Sequence, residues 1–267
     1  MNYLVSGGMG FIGKNLCNRL DSLGESYHAL DITAGCDLSK TDLYVDKCQT
    51  FVHLAALTNV RGSLRNPVDH LLYNYKLTVN CINYAKSRDA HFIMASSMGA
   101  PFALSPYAAS KLGCEGICTA YREAYELDTT ILRFSNVYGP HSIHKSSIIP
   151  KFIKACINRE PLKIYGDGSQ TRDFIYVDDV VDIILSCRGQ KFLRVASGKP
   201  MSIIGLLNLI IHFSENLLCY KPTVVFQPFN KGEILKVESA TDIVPKVGFY
   251  TGLSATFKWF IENYGHK

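Results

Sequence analysis

No two cysteines of this 267-residue chain stand in C-x-x-C, and their number, nine, is odd. A disulfide scaffold and a structural zinc site are thereby disfavoured; the reading is of buried, reduced thiols. His141 and His144 lie close together, but no neighbouring Cys or third His completes a site, so no metal is expected. Runs of like charge are also missing. The 28 basic and 23 acidic side chains leave +5 without a block of five or six, so nucleic acid is not an expected partner and small anionic ligands are. The most apolar stretch, 203–213, has eleven residues and includes Asn208 and His212, whereas a bilayer helix needs about eighteen to twenty apolar residues. It reads as a core helix, and no membrane association is expected. The opening Met1-Asn2-Tyr3 enters an apolar strand without a basic start or cleavage site, so the expected location is the cytoplasm. With 47 % apolar and 19 % charged residues, and no repeat or flexible linker, it is globular, with room for one large domain or two interlocked ones.

What is there is an alternation. Short apolar runs at 3–5, 27–31, 50–54, 91–95 and 129–134 are separated by stretches of helical spacing at 15–23, 68–87 and 107–126. The second of these shows its apolar residues at Leu71, Leu72, Tyr75, Val79 and Ile82. Strands alternating with helices imply βαβ units, so the expected fold is α/β, a doubly wound parallel sheet. After 140 the alternation loosens into a smaller mixed α/β lobe. The expected division is 1–140, with about 173–197 packing back on it, and 141–267, with the ligand cleft between the two parts.

Gly8, Gly10 and Gly13 form G-x-G-x-x-G directly after the first strand and at the opening of a helix. Glycines there admit positive φ and let backbone approach a pyrophosphate, whose charge meets the helix N-terminus. Asp31 closes the second strand eighteen residues after Gly13, where an acid can bind the adenosine ribose hydroxyls and repel a 2′-phosphate; the cofactor expected is NAD. A solvated loop acid is the plainer alternative. Tyr107 and Lys111 stand four apart on one helical face. A phenol ordinarily titrates near 10, so service as a base needs a shift of roughly three units, for which Lys111 and an oxidised nicotinamide are the expected sources. Ser97, after the run 91–95, is placed to bond the same substrate oxygen. The three make a proton relay beside a hydride acceptor.

These residues resemble the extended short-chain dehydrogenase/reductase family, in its nucleotide-sugar epimerase and dehydratase branch, over almost the whole chain. Gly7-Gly8-Met9-Gly10-Phe11-Ile12-Gly13 is similar to G-G-x-G-F-I-G, and Asp37-Leu38 to an acid-plus-apolar pair beside adenine. His53-Leu54-Ala55-Ala56 resembles the H-L-A-A stretch that lines the cofactor, Asn74 falls on the Asn of the following helix, and Ser97, Tyr107 and Lys111 match the catalytic trio. The run 132–140, with Phe134 at the cofactor, is similar to L-R-x-x-N-V-Y-G-P, which implies that Asn136 contacts the nucleotide diphosphate. The run 165–174 is similar to Y-G-x-G-x-x-x-R-D-F, which implies a phosphate-binding role for Arg172. Structural alternatives are an ion pair of Arg172 with Asp173 or Asp178, and a turn cap at Asn136.

Three features depart from the pattern. Met98-Gly99-Ala100-Pro101-Phe102 leads almost directly to Ser105-Pro106-Tyr107, shortening the loop after the serine. No acid follows Ser97, where the dehydratases that this chain resembles carry Asp-Glu and the decarboxylases Glu. A second diphosphate-binding Arg is not evident around 230–233; Lys231 and Lys236 are the expected substitutes. The resemblance implies an NAD-dependent epimerase acting on a nucleotide-diphosphate sugar, at C4, as a homodimer paired through two helices including the one that bears Tyr107. Two alternatives remain open: an NAD(P)H-dependent reductase of 4-keto-6-deoxy sugar nucleotides, and a non-catalytic nucleotide sensor.

Overall fold

Four-residue apolar runs are too short to bury anything alone and close into a parallel sheet, with the amphipathic stretches between them as crossover helices. The computed structural model describes residues 1–40, 47–229, 235–236 and 239–264. In chain order its elements are β1 (Tyr3–Ser6), α1 (Phe11–Ser22), β2 (Tyr27–Leu30), β3 (Thr50–His53), α2 (Val60–Arg65), α3 (Pro67–Arg88), β4 (His91–Ser97), α4 (Pro106–Tyr125) and β5 (Thr129–Phe134). There follow β6 (Asn136–Tyr138), α5 (Ile148–Ile157), β7 (Leu162–Tyr165), β8 (Thr171–Arg172), β9 (Phe174–Tyr176) and α6 (Val177–Ser186). The last are β10 (Phe192–Val195), β11 (Met201–Ser202), α7 (Ile203–Leu218), β12 (Val224–Gln227) and α8 (Phe249–Tyr264).

The chain divides into two units, Met1–Phe134 with Val181–Val195, and Ser135–Val180 with Ala196–Lys267. In the first, six strands run parallel in the order β10, β5, β4, β3, β1, β2. The winding reverses at β1, which pairs with β2 on one side and β3 on the other, so the turn after β1 opens at the switch point of a Rossmann-type sheet. Phe51 and Phe92 on adjacent strands meet edge to face at 5.6 Å, and Tyr84 of α3 closes on Phe51 at 5.8 Å. Helix α1 begins at Phe11, earlier than its apolar spacing suggests, because the glycine turn itself delivers the chain into the first helical turn.

Helix α3 departs from the expected face. It buries His70, Asn74, Leu77, Thr78, Cys81 and Ile82, whereas Leu72 is exposed. A polar stripe lies inside because α4 supplies partners for it.

The second unit holds two parallel strand pairs, β6 with β9 and β7 with β12, and one antiparallel pair, β8 with β11. Ile153 of α5, Leu206 and Ile210 of α7, and Leu253, Phe257 and Phe260 of α8 are all fully buried in its core. The apolar stretch 203–213 lies inside α7, and no helix among the described residues is long and apolar enough to cross a membrane. Seven of the nine cysteines are buried free thiols; Cys36 is half-buried and Cys219 is exposed at the left-handed end of α7, contrary to the reading of uniform burial.

Candidate active site

The glycine turn is built by close approach. Gly7 has φ +74°, and a Cβ there would stand 2.8 Å from the Ala55 nitrogen; one at Gly13 would stand 2.1 Å from the Gly7 oxygen. Helix α1 then opens at Gly10 without a side-chain cap and with no acid in its first turn, leaving the N–H groups around Phe11, Ile12 and Gly13 and the positive helix end suited to an anion. Asp31, one residue past β2, is not simply a solvated acid. Its Oδ2 accepts the Met9 N–H at 3.0 Å, while Oδ1 accepts the Thr33 N–H at 3.0 Å and the Thr33 hydroxyl at 2.8 Å. The carboxylate thus braces the glycine turn and keeps its charge at the end of β2. A dinucleotide fits these residues: a glycine cradle without room for side chains, an uncapped helix start, and an acid beyond the second strand.

Asp37 accepts the Ser39 hydroxyl at 2.7 Å and N–H at 3.1 Å, and the Ser39 hydroxyl chiefly holds its carboxyl below the usual range. Leu38 beside it is buried. In β3 the His53 ring is enclosed between Ser6 Oγ at 2.8 Å and Thr78 Oγ1 at 3.2 Å; burial, aided by the Lys111 charge, lowers its pKa to about 3. Leu54, Ala55 and Ala56 follow, half-buried, against the glycine turn. Asn74 holds the far end of that segment: Oδ1 accepts the Leu57 N–H at 2.9 Å, and Nδ2 donates to the Leu57 oxygen at 3.2 Å.

Ser97 is the last residue of β4, opposite Phe134 of β5, and its hydroxyl accepts the Gly99 N–H at 3.2 Å. The shortened segment makes one 3-10 turn over Ala100–Phe102, and Ser105 caps α4 by accepting the Ala108 N–H at 3.1 Å, with Pro106 in the first turn. Tyr107 therefore sits at the start of the helix. Burial pushes its phenol up to about 12, opposed by the nearby Ser97 hydroxyl. The downward shift expected from Lys111 is absent from the chain by itself: burial outweighs it, and the Lys111 ammonium, only 5 % exposed, donates to the Ala95 oxygen at 2.8 Å. One turn beyond Lys111, Glu115 takes the Arg133 fork, with Nε to Oε1 at 2.8 Å, and the Ser96 hydroxyl, pinning α4 to β4 and β5.

Asn136 and Arg172 belong to the second unit. Asn136 clips β6 to β9, its N–H and its Nδ2 both donating to the Asp173 oxygen at 3.0 Å. Arg172, in β8, donates from Nη1 to the Thr171 oxygen at 2.8 Å. The buried Asp173 carboxylate accepts the Ser135 hydroxyl and the N–H and hydroxyl of Ser197, each at 2.8 Å. Lys236 is exposed, and Lys231 lies outside the described residues.

Sequence reasoning did not single out His70, Ser110, Glu115 or Arg133 as parts of this site. The signal for His70 was available: His70, Asn74 and Thr78 recur every four residues and mark a polar helix face.

Residues 3–191 match the model of the NAD dependent epimerase/dehydratase family. The chain is 31 % identical to a UDP-glucuronate 4-epimerase of Thermodesulfobacterium geofontis, over 92 % of this chain and 83 % of that protein. It is 29 % identical to the solved UDP-N-acetylglucosamine 4-epimerase of Methanobrevibacter ruminantium in complex with UDP-N-acetylmuramic acid, with a TM-score of 0.87 over 98 % of each chain. It is 26 % identical to MoeE5 in complex with UDP-glucuronic acid and NAD, with a TM-score of 0.85 over 98 % of this chain and 99 % of that one. The glycine turn with its Asp31 brace, Ser97 at the end of β4 with Tyr107 and Lys111 on α4, and these matches lead to one assignment: the chain belongs to the NAD dependent epimerase/dehydratase family.

Proposed function

We propose that this protein is an NAD-dependent nucleotide-sugar 4-epimerase. One observation carries the reading: Ser97, ending β4, lies near enough to the phenol of Tyr107 at the start of α4 to oppose the upward pull of burial on it, with Lys111 one turn further along the same helix. NAD, when bound, supplies the hydride acceptor and donor. Gly7, Gly10 and Gly13 with the start of α1 would hold its pyrophosphate, Asp31 its adenosine ribose, Asp37 and Leu38 its adenine edge, and Leu54, Ala55, Ala56, Asn74 and Phe134 line the same unit.

Tyr107 accepts the proton of the sugar hydroxyl and later returns it to the epimeric alcohol, so the reaction consumes no proton. Ser97 orients that oxygen, and its hydroxyl near the phenol favours the phenolate. Lys111 supplies the positive charge on the same face of α4. Asn136 and Arg172 are assigned to the nucleotide diphosphate, Arg172 because a guanidinium matches a pair of phosphate oxygens. Met98 and Gly99 follow Ser97, and neither can donate or accept the proton that elimination or decarboxylation chemistry needs, which favours epimerisation. The abundance of unpaired buried thiols supports residence in a reducing cytoplasm. Exposed Leu64, Val68, Leu72 and Leu112 on α2, α3 and α4 support pairing with a second copy.

The test is product analysis of UDP-glucose, UDP-glucuronic acid and UDP-N-acetylglucosamine incubated with the NAD-loaded protein and with Tyr107→Phe. A C4 epimer from the native chain, reduced by about 10²- to 10⁴-fold in the variant with NAD retained, is expected. A protein that forms no epimer and oxidises NADPH with a 4-keto sugar nucleotide is a reductase.

A further inference from the structure

Helices α3 and α4 meet along polar rungs. Asn74 Nδ2 donates to Ser110 Oγ at 2.9 Å, and the Thr78 hydroxyl donates to Cys114 Sγ at 3.2 Å. The rung nearest the start of α4 joins His70 to Tyr107: the two rings stand at 90° with centroids 6.1 Å apart. It differs from the others in one respect. His70 is 4 % exposed, and neither Nδ1 nor Nε2 has a hydrogen-bond partner among the described residues. A neutral imidazole has one donor and one acceptor, and enclosing both unpaired is costly. A phenylalanine would give the same edge-to-face contact without that cost. Enclosed polar groups of this kind are completed by ordered water, and the polar group that the ring contact brings to this rung is the phenol.

We propose that His70 is a positioning residue for Tyr107: its neutral imidazole, through enclosed water, directs a hydrogen bond to the phenol oxygen and thereby favours the phenolate. No net proton moves; the imidazole N–H donates to water and the water O–H donates to the phenol oxygen. Lys111 and Cys114 from α4, His53 from β3, and Tyr75 from α3 itself, whose hydroxyl donates to the Ala109 oxygen, are other titratable groups of this region. Burial and the Lys111 charge both depress the His70 pKa, which keeps the ring in the neutral form that the arrangement requires. The proposal rests on the reading of Tyr107 as the base.

In NAD-saturated protein, the absorbance difference between the native chain and Tyr107→Phe isolates the titration of this one phenol. His70→Phe keeps the ring contact and removes both nitrogens. It is expected to move the phenol midpoint up by roughly one to two pH units, and to move the acid limb of kcat with it while KM for the UDP-sugar stays within about twofold. His70→Gln, which retains an N–H donor, is expected to recover at least half of the shift. An unmoved midpoint in His70→Phe, or an equal displacement in His70→Gln, overturns the proposal. Should His70→Phe not fold, a crystal structure of the native protein decides: water bonded to a His70 nitrogen and linked to the Tyr107 oxygen supports it, and a dry contact overturns it. Undiminished turnover in Tyr107→Phe would sink the functional reading instead, while the absorbance midpoint still judges His70 independently.

Discussion

Asn74 on α3 donates to Ser110 on α4 at 2.9 Å, and Ser110 donates in turn to the Tyr107 carbonyl at 2.7 Å. Because the same amide holds both backbone groups of Leu57, one buried side chain couples the segment after β3 to the helix that carries the proposed base.

Asn74→Ala leaves those groups without their partner in a closed interior. A loss of about 2–4 kcal/mol is expected, read as a lower midpoint in urea, together with faster loss of bound NAD. A stability change below about 1 kcal/mol would show that the coupling is dispensable.

Glu115 and Arg133 form an ion pair with a buried carboxylate, which also receives Ser96, and a half-buried guanidinium, which lies 4.7 Å over the Phe192 ring. Glu115→Ala strands the arginine and is expected to cost about 3 kcal/mol. Adding Arg133→Met, which keeps the contact with the ring and removes the stranded charge, should restore more than half. Additive losses in calorimetry would refute a shared origin.

Asp31→Ala removes both the acceptor for Met9 and the negative charge beyond β2. Affinity for NAD is expected to fall about 10- to 100-fold and the preference over NADP to narrow. Asp31→Asn keeps an acceptor oxygen without the charge, so it should lose less affinity for NAD yet gain comparably for NADP. Titration calorimetry with both dinucleotides measures each arm.

His53 titrates near 3 in the folded protein against an ordinary value of 6.5. Below 6.5 the unfolded chain takes up this proton and the folded one does not, so stability falls with falling pH until about 3. The contribution approaches about 1.4 kcal/mol per pH unit inside that window. His53→Gln removes this dependence, so its deficit relative to the native chain should shrink between pH 6.5 and 4. A constant gap in denaturation midpoints across that range would contradict the assignment.

The parallel sheet and the glycine turn were legible because each rests on a local necessity. Gly7 needs positive φ, and a four-residue apolar run such as 50–53 must be covered on both faces. Tyr107 and Lys111 could be read from spacing alone, since one helical turn separates them. The environment of the phenol could not: whether burial or charge governs it depends on Lys111 turning to the Ala95 oxygen. The inner face of α3 was not legible for a related reason. Leu72 carries the stronger hydrophobic signal, yet His70 and Asn74 are the buried residues, because α4 brings Ser110 and a phenol ring to meet them. Asn136, read as a diphosphate contact or a turn cap, stands in a three-residue strand fixed by pairing with a segment nearly forty positions later, which no local pattern shows.

Strand β10 pairs with β5 at the sheet's outer end, Phe192 against Ile131 and Val195 against Phe134, although some sixty residues of chain separate them. A nascent polypeptide leaving the ribosome therefore displays β5 with a bare parallel edge until position 195 has emerged. Truncation before that point yields not a smaller dinucleotide-binding module but a sticky one, and expression trials seeking a minimal fragment should graft 181–195 onto 1–134 rather than stop at the first five strands.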